Sequence, residues 1–264
     1  MSAQNSSPST LDSRRARFRT LCRDAMLSRH VKGTDGIGTL GEKRMHAILK
    51  KYVSPNEDFH EIPLDGTRYV SDVRIGNEIY EIQTGHFLPM KKKIGYYLEH
   101  TDCTVTIVHP IVAQKWVVWV DPLTKSVSEK VRSPKREKAE DILPELYPLL
   151  PYLGNERLSF RLLLIEAMDF RILSKGGKDR KKASEKYERI PLSLLEEIEL
   201  SSAEDFRAFL PDALPDTFTV SEFSRLTHHR GADAYSAAKV LRALGLLRDG
   251  EKRGRAMTFE RTDR

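Results

Sequence analysis

Apolar and polar positions change period several times along the chain, and each change predicts an element. Residues 13–30 set apolar side chains at helical spacing among six arginines, which predicts a helix with a strongly basic face. Such a face either contacts a polyanion or is simply solvated. Residues 40–53 keep the same period, with Met45, Ile48, Leu49 and Tyr52 as the apolar stripe. Glu42 and His46 are four apart and share another face of that helix. Gly33, Gly36, Gly38 and Gly41 lack the spacing of a phosphate-binding loop and read as loop and helix-start punctuation. A short strand at 58–64 then leads into two alternating runs, 68–75 and 78–83. Gly76-Asn77 between them predicts a hairpin. After the break at Thr84-Gly85, residues 88–100 predict a helix that buries Met90, Ile94, Tyr97 and Leu98.

Residues 103–109 and 115–121 predict two more strands, the first rich in β-branched side chains and therefore central. Strand, helix and strand from 80 to 108 make a βαβ unit, which predicts a parallel pair with a right-handed crossover. Residues 124–140 are a polar, basic loop. Three prolines in 141–153 allow only short or interrupted helix. The apolar run at 158–173 fits a strand or a helix, with strand preferred, and 174–186 reads as a flexible basic tip or linker. From 190 the pattern predicts helices at 192–199, 203–210, 219–226 and 233–244. Ser202 with Asp205, and Thr219 with Glu222, stand at capping-box spacing, and Gly245 closes the last helix. The final residues predict a strand, an Asp249-Gly250 turn and a second strand. The organisation expected is a disordered tail at 1–13, an α/β domain at 14–186 and a smaller, mainly α domain at 190–264.

Composition narrows the class. With 39% hydrophobic and 31% charged residues, a 264-residue chain is long enough for one large domain or two small ones, and a soluble protein is expected. No run has the length of a membrane span, and the polar start has no apolar leader segment. Two cysteines without ligand spacing point to a reduced, cytoplasmic protein. A net charge of +6 favours a polyanionic partner. His228 and His229 have no companions at metal-ligand spacing and read as surface residues.

The chemistry concentrates in the first hairpin. Glu81 and Gln83 are two apart on one strand and share a face, and Asp72 on the partner strand can lie beside Glu81. Two carboxylates plus an exposed backbone carbonyl suit Mg²⁺, which keeps several waters and also binds a phosphate. Lys91, Lys92 and Lys93 follow on the helix, where successive residues lie about 100° apart, so at most one or two can face the site.

The order helix with Glu42, strand, strand with Asp72, strand with Glu81-Ile82-Gln83, then helix, resembles the PD-(D/E)xK nuclease core of restriction endonucleases and repair nucleases. The resemblance covers about residues 36–120. It implies a restriction-endonuclease-like mixed sheet flanked by helices. It also implies a Mg²⁺ (or Mn²⁺) held by Asp72, Glu81 and the Ile82 carbonyl, with Glu42 as an accessory acid. The departure is Gln83, where the family usually has lysine; an amide cannot act as a general base. The C-terminal pattern resembles a winged helix-turn-helix domain. By that resemblance the helix at 233–244 would read DNA, with Arg230, Tyr235, Lys239 and Arg242 exposed, and the hairpin would contact phosphates through Lys252, Arg253 and Arg255. Together these imply a Mg²⁺-dependent DNA endonuclease, with a homodimer compatible with cutting two strands. The alternatives are a DNA-binding regulator or accessory protein with an inactive nuclease-like core, and an α/β protein whose Asp72 and Glu81 are merely solvated.

Overall fold

Alternation and helical spacing are realised across most of the chain. The computed structural model describes residues 8–31, 40–121, 124, 126–173 and 184–262. The 1–7 part of the expected tail, Gly33, Gly36 and Gly38, and residues 174–183 of the expected basic tip lie outside the described residues. The first helix, α1 (Pro8–Val31), begins earlier than its apolar period suggests, so residues 8–13 are helix and not tail. Proline at a helix start gives up a donor that has no partner there in any case. The next helix, α2 (Leu40–Val53), matches its expected bounds.

Among the described residues, ten strands follow the two helices. The large sheet has the order β1-β2-β3-β4-β6-β7, with β5 on β4. Its members are β1 (His60–Pro63), β2 (Val70–Ile75), β3 (Glu78–Ile82), β4 (Thr104–Val120), β5 (Val131–Arg132), β6 (Leu158–Leu173) and β7 (Ser184–Leu200). β2 and β3 are antiparallel about the Gly76-Asn77 turn, and β3 and β4 are parallel through α3 (Lys91–His100). The fold is therefore mixed α/β, with a mixed sheet and flanking helices.

Three local expectations are corrected. The two strands expected at 103–109 and 115–121 are one, β4. Pro110 lies inside it, where it lacks a backbone donor but does not end the strand. The helix expected at 192–199 is the second half of β7. Leucine and glutamate favour helix locally, but pairing with β6 decides the state, and Pro191 is tolerated because β7 is an edge strand. The turn expected at Asp249-Gly250 is at Gly254, with Arg253 opposite Ala256. Gly250 lies inside β9 (Leu247–Arg253), where a Cβ would come within 2.5 Å of Thr258 Oγ1.

The chain packs as two compact units whose stretches interleave, whereas the sequence suggested 14–186 and 190–264 in succession. One unit draws on the described residues of Met1–Glu61, His109–Lys138 and Leu163–Glu197. Its core includes Phe18, Leu49, Leu163 and Ile190, with Phe18 edge-on to Tyr52 at 5.3 Å. Cys22 is buried there as a free thiol, and burial pushes it up to about 12, which leaves it unreactive.

The other unit draws on Ile62–Val108, Ala139–Leu162 and Ile198–Arg264. It contains α3, the short α4 (Ile142–Glu145), and a second sheet of order β8-β10-β9. That sheet joins β8 (Thr217–Thr219) and β9 to β10 (Ala256–Arg261), with α5 (Val220–Leu226) and α6 (Ala232–Ala243) between β8 and β9. The Thr219–Glu222 capping box forms: Glu222 Oε2 accepts from the Thr219 N–H at 2.7 Å. Gly245, at φ 76°, ends α6 while Leu246 N–H donates to the Leu241 carbonyl, the bond pattern of a Schellman cap. Phe218, Phe223 and Phe259 are fully buried and form the centre of this small module.

Candidate active site

The antiparallel register pairs Val73 with Tyr80, and its continuation sets Asp72 opposite Glu81 on one face. The two strands are tied there by a side chain: Asp72 Oδ2 accepts from the Ile82 N–H at 2.7 Å. On the other edge of β3, the parallel ladder pairs Glu81 with Ile107 and Ile82 with Val108. Glu81 is thus held from both sides and is only 2% exposed.

A buried carboxylate needs partners, and α3 provides two. Lys93 Nζ stands 2.5 Å from Glu81 Oε2, and the Tyr97 hydroxyl donates to Oε1 at 2.9 Å. Lys93 and Tyr97 are four apart and therefore emerge on the same helix face. Gly95 between them lets α3 lie close to Tyr152, whose hydroxyl would be 2.2 Å from an added Cβ. Of the three consecutive lysines only Lys93 meets the acid; Lys91 is half-buried and Lys92 exposed.

Burial pushes the Glu81 carboxyl up to about 7; the Lys93 charge opposes this, the Asp72 charge adds to it, and the Lys93 and Tyr97 hydrogen bonds oppose it. The Tyr97 hydroxyl is also raised, by burial first and then by the neighbouring Glu81 charge. Two carboxylates that resist being ionised together form a site a divalent cation would relieve.

Gln83 is placed differently. Its amide nitrogen donates to the His86 carbonyl at 2.5 Å, so it fixes the loop after β3, and the lysine beside Glu81 comes from the helix instead. Glu42 is on α2, and its side chain lies outside the described residues. Tyr97 was missed as a site residue because it reads as part of the apolar stripe of its helix. The available signal was its four-residue offset from Lys93.

The candidate nucleic-acid residues fall into two groups. α6 exposes Ala232, Tyr235, Arg242 and Ala243 along one stripe and buries Ala234, Ala237, Ala238 and Leu241. Lys239, expected to be exposed, is half-buried; it and the exposed Arg242 both meet Asp249 of β9, at 3.7 and 2.6 Å. Lys239 also lies 5.6 Å from the Tyr235 ring centre. Arg230 is exposed, with one guanidinium nitrogen donating to the Thr227 carbonyl at 2.7 Å and to the Ser224 and His229 carbonyls. In the hairpin, Arg253 donates to Glu222 at 3.0 Å, while Lys252 and Arg255 are exposed. The reading of His228 and His229 as two surface residues is corrected: His229 is 4% exposed.

No helix among the described residues is long and apolar enough to cross a membrane. None of the curated proteins and none of the solved structures compared matches the chain. A family model does match, over residues 43–201, which is more than half of the chain. That span contains Asp72, Glu81, Gln83, Lys93 and Tyr97, and leaves out Glu42 and the α5–α6 module. The chain therefore belongs to the family of the domain of unknown function DUF8091.

Proposed function

We propose that this protein is a Mg²⁺-dependent deoxyribonuclease of the PD-(D/E)xK type, directed to DNA by a C-terminal winged helix-turn-helix module. The observation that carries the reading is the meeting of Asp72, Glu81 and Lys93 on one patch of the sheet. The surrounding order supports it: α2, β1, antiparallel β2 and β3, helix α3, and β4 parallel to β3 follow the sequence of elements that core uses. Lys93 accounts for the missing lysine of the motif, because a charge delivered from the next helix reaches the same acid. The β8-β10-β9 sheet with α5 and α6 between its first two strands supports the winged-helix part in the same way.

Asp72, Glu81 and the Ile82 carbonyl would hold the metal. Bound there, it would lower the pKa of a water and neutralise charge on the phosphodiester. Lys93 keeps a positive charge at the carboxylate pair and can turn toward a phosphate oxygen. Tyr97 fixes the rotamer of Glu81, and Gln83 braces the loop that leads into α3.

Gln83 favours a second reading, a DNA-binding accessory protein with an inactive core, because the usual position of the catalytic lysine is occupied by a loop-bracing amide. Purified protein incubated with supercoiled plasmid and Mg²⁺ or Mn²⁺ decides between them. Nicking by the wild type, lost in Asp72→Ala and Glu81→Ala, is expected. Equal DNA retention by all three proteins with no cleavage would leave the accessory reading in place.

A further inference from the structure

We propose that Asp141, His228 and His229 form a second metal site, for a borderline transition ion such as Zn²⁺, separate from the Asp72–Glu81 pair. The three residues come from the end of the turn before α4 and from the turn between α5 and α6. One carboxylate oxygen and one nitrogen from each imidazole all lie within 4.8 Å of one another. Ligands on a tetrahedral ion with bonds of about 2.1 Å sit roughly 3.4 Å apart, so modest side-chain rotation closes the set.

The turn is built to present both rings. Ser224 Oγ donates to the His229 carbonyl at 2.9 Å, and Arg230 donates to the same carbonyl. The His229 ring stacks on Phe223 at 6.4 Å, and the two imidazoles are 4.5 Å apart. His228 directs Nε2 at Asp141, while its Nδ1 faces Glu140 Oε1 at 3.9 Å. At 3.9 Å Glu140 is not hydrogen-bonded to the ring, but it stands where a carboxylate backs a ligating histidine and would orient it once the ion is bound.

A His228–Asp141 ion pair alone leaves one fact unexplained. His229 is 4% exposed, yet its Nε2 has no hydrogen-bond partner among the described residues. Buried imidazole nitrogens are normally paired, and metal ligation would satisfy this ring. Two imidazoles and one carboxylate suit Zn²⁺, Ni²⁺ or Co²⁺ better than Mg²⁺, which takes oxygen. Three protein ligands leave one coordination position for water or a partner's donor. The ion would clip the α5–α6 turn to the 139–141 segment, and so set how the DNA-reading helix α6 is held against α4.

The test uses the full chain carrying Asp72→Asn and Glu81→Gln, so that the first carboxylate pair does not contribute. Zn²⁺ affinity is measured by competition with a chromogenic chelator, and Co²⁺ by its visible d–d absorption. One equivalent of Zn²⁺ per chain and a four-coordinate Co²⁺ band are expected. His228→Asn and Asp141→Asn, both at accessible positions, should each weaken Zn²⁺ binding more than about tenfold and abolish the band, and Glu140→Gln should weaken it by about tenfold. Circular dichroism checks that these variants keep their fold. No stoichiometric uptake, or uptake unchanged by His228→Asn, would reduce the cluster to an ion pair and overturn the proposal.

Discussion

Lys93 on α3 reaches Glu81 on β3 across twelve residues of sequence, its Nζ 2.5 Å from Oε2. The contact places a positively charged partner of a carboxylate that is 2% exposed on the element that also ends the candidate site. Replacing Lys93 with methionine keeps the length of the aliphatic stem and removes the charge. DNA cleavage should fall by about 10²–10³-fold, the effect of losing one preorganised charge at a reacting group. Lys93→Arg should recover part of it. Lys91→Met and Lys92→Met, tested in the same plasmid assay, should stay within a few-fold of wild type. Equal losses at all three positions would mean the lysines act only as a basic patch.

The raised carboxyl of Glu81 makes both stability and activity depend on pH. Its folded value of about 7 lies above the ordinary 4.5, so its contribution to stability is fully present below 4.5 and is lost as pH rises through 7. The gap corresponds to about 3 kcal/mol. Denaturant unfolding at pH 5 and pH 8 should show that loss in the wild type and a flatter profile in Glu81→Gln. Metal binding needs the ionised acid, so cleavage should rise with pH through about 7 while metal-free stability falls. A wild-type stability profile no steeper than that of Glu81→Gln would show that Glu81 titrates normally.

Much of this site was legible in the sequence, because period-two alternation fixes which side chains share a face. Asp72 and Glu81 follow from that rule and from the Gly76-Asn77 turn. Which lysine meets them was not legible: it depends on the rotation of α3 about its axis, set by Ile94, Tyr97 and Leu98 settling into the core. The strand identity of residues 192–199 was hidden for a related reason, since their leucines and glutamates prefer helix until β6 supplies a partner. Gly250 misled because glycine serves turns and close approaches alike, and here it makes room for Thr258. The contact of His228 with Asp141 spans 87 residues, and no local pattern announces it.

Asp249 should act as a brake on DNA binding. It holds the half-buried Lys239 at 3.7 Å and the exposed Arg242 at 2.6 Å, the basic side chains of α6. Asp249→Asn removes one negative charge and frees both cations for phosphates. Affinity for duplex DNA should rise about tenfold at moderate salt, and the slope of log K against log salt should steepen by about 2, one step for each added phosphate contact. Fluorescence anisotropy across a salt series measures both. An unchanged slope would mean that these side chains do not face DNA.

The Asp169–Arg189 pair separates fold from function. Asp169 on β6 is 1% exposed and receives two bonds from Arg189 on β7, at 2.6 and 2.9 Å. Removing one partner of a buried pair strands the other charge, whereas removing both can be close to neutral when the replacements pack well. Arg189→Met should therefore cost about 3–5 kcal/mol of unfolding free energy. Asp169→Leu combined with Arg189→Met should regain most of it. The pair lies in the unit that does not contain Asp72 and Glu81, so cleavage per folded molecule should be unchanged in the double variant. Denaturant titration gives the first comparison and the plasmid assay, corrected for the folded fraction, the second. If the double variant is no more stable than Arg189→Met, the pair contributes through its specific bonds and not through the cost of an unpaired buried charge.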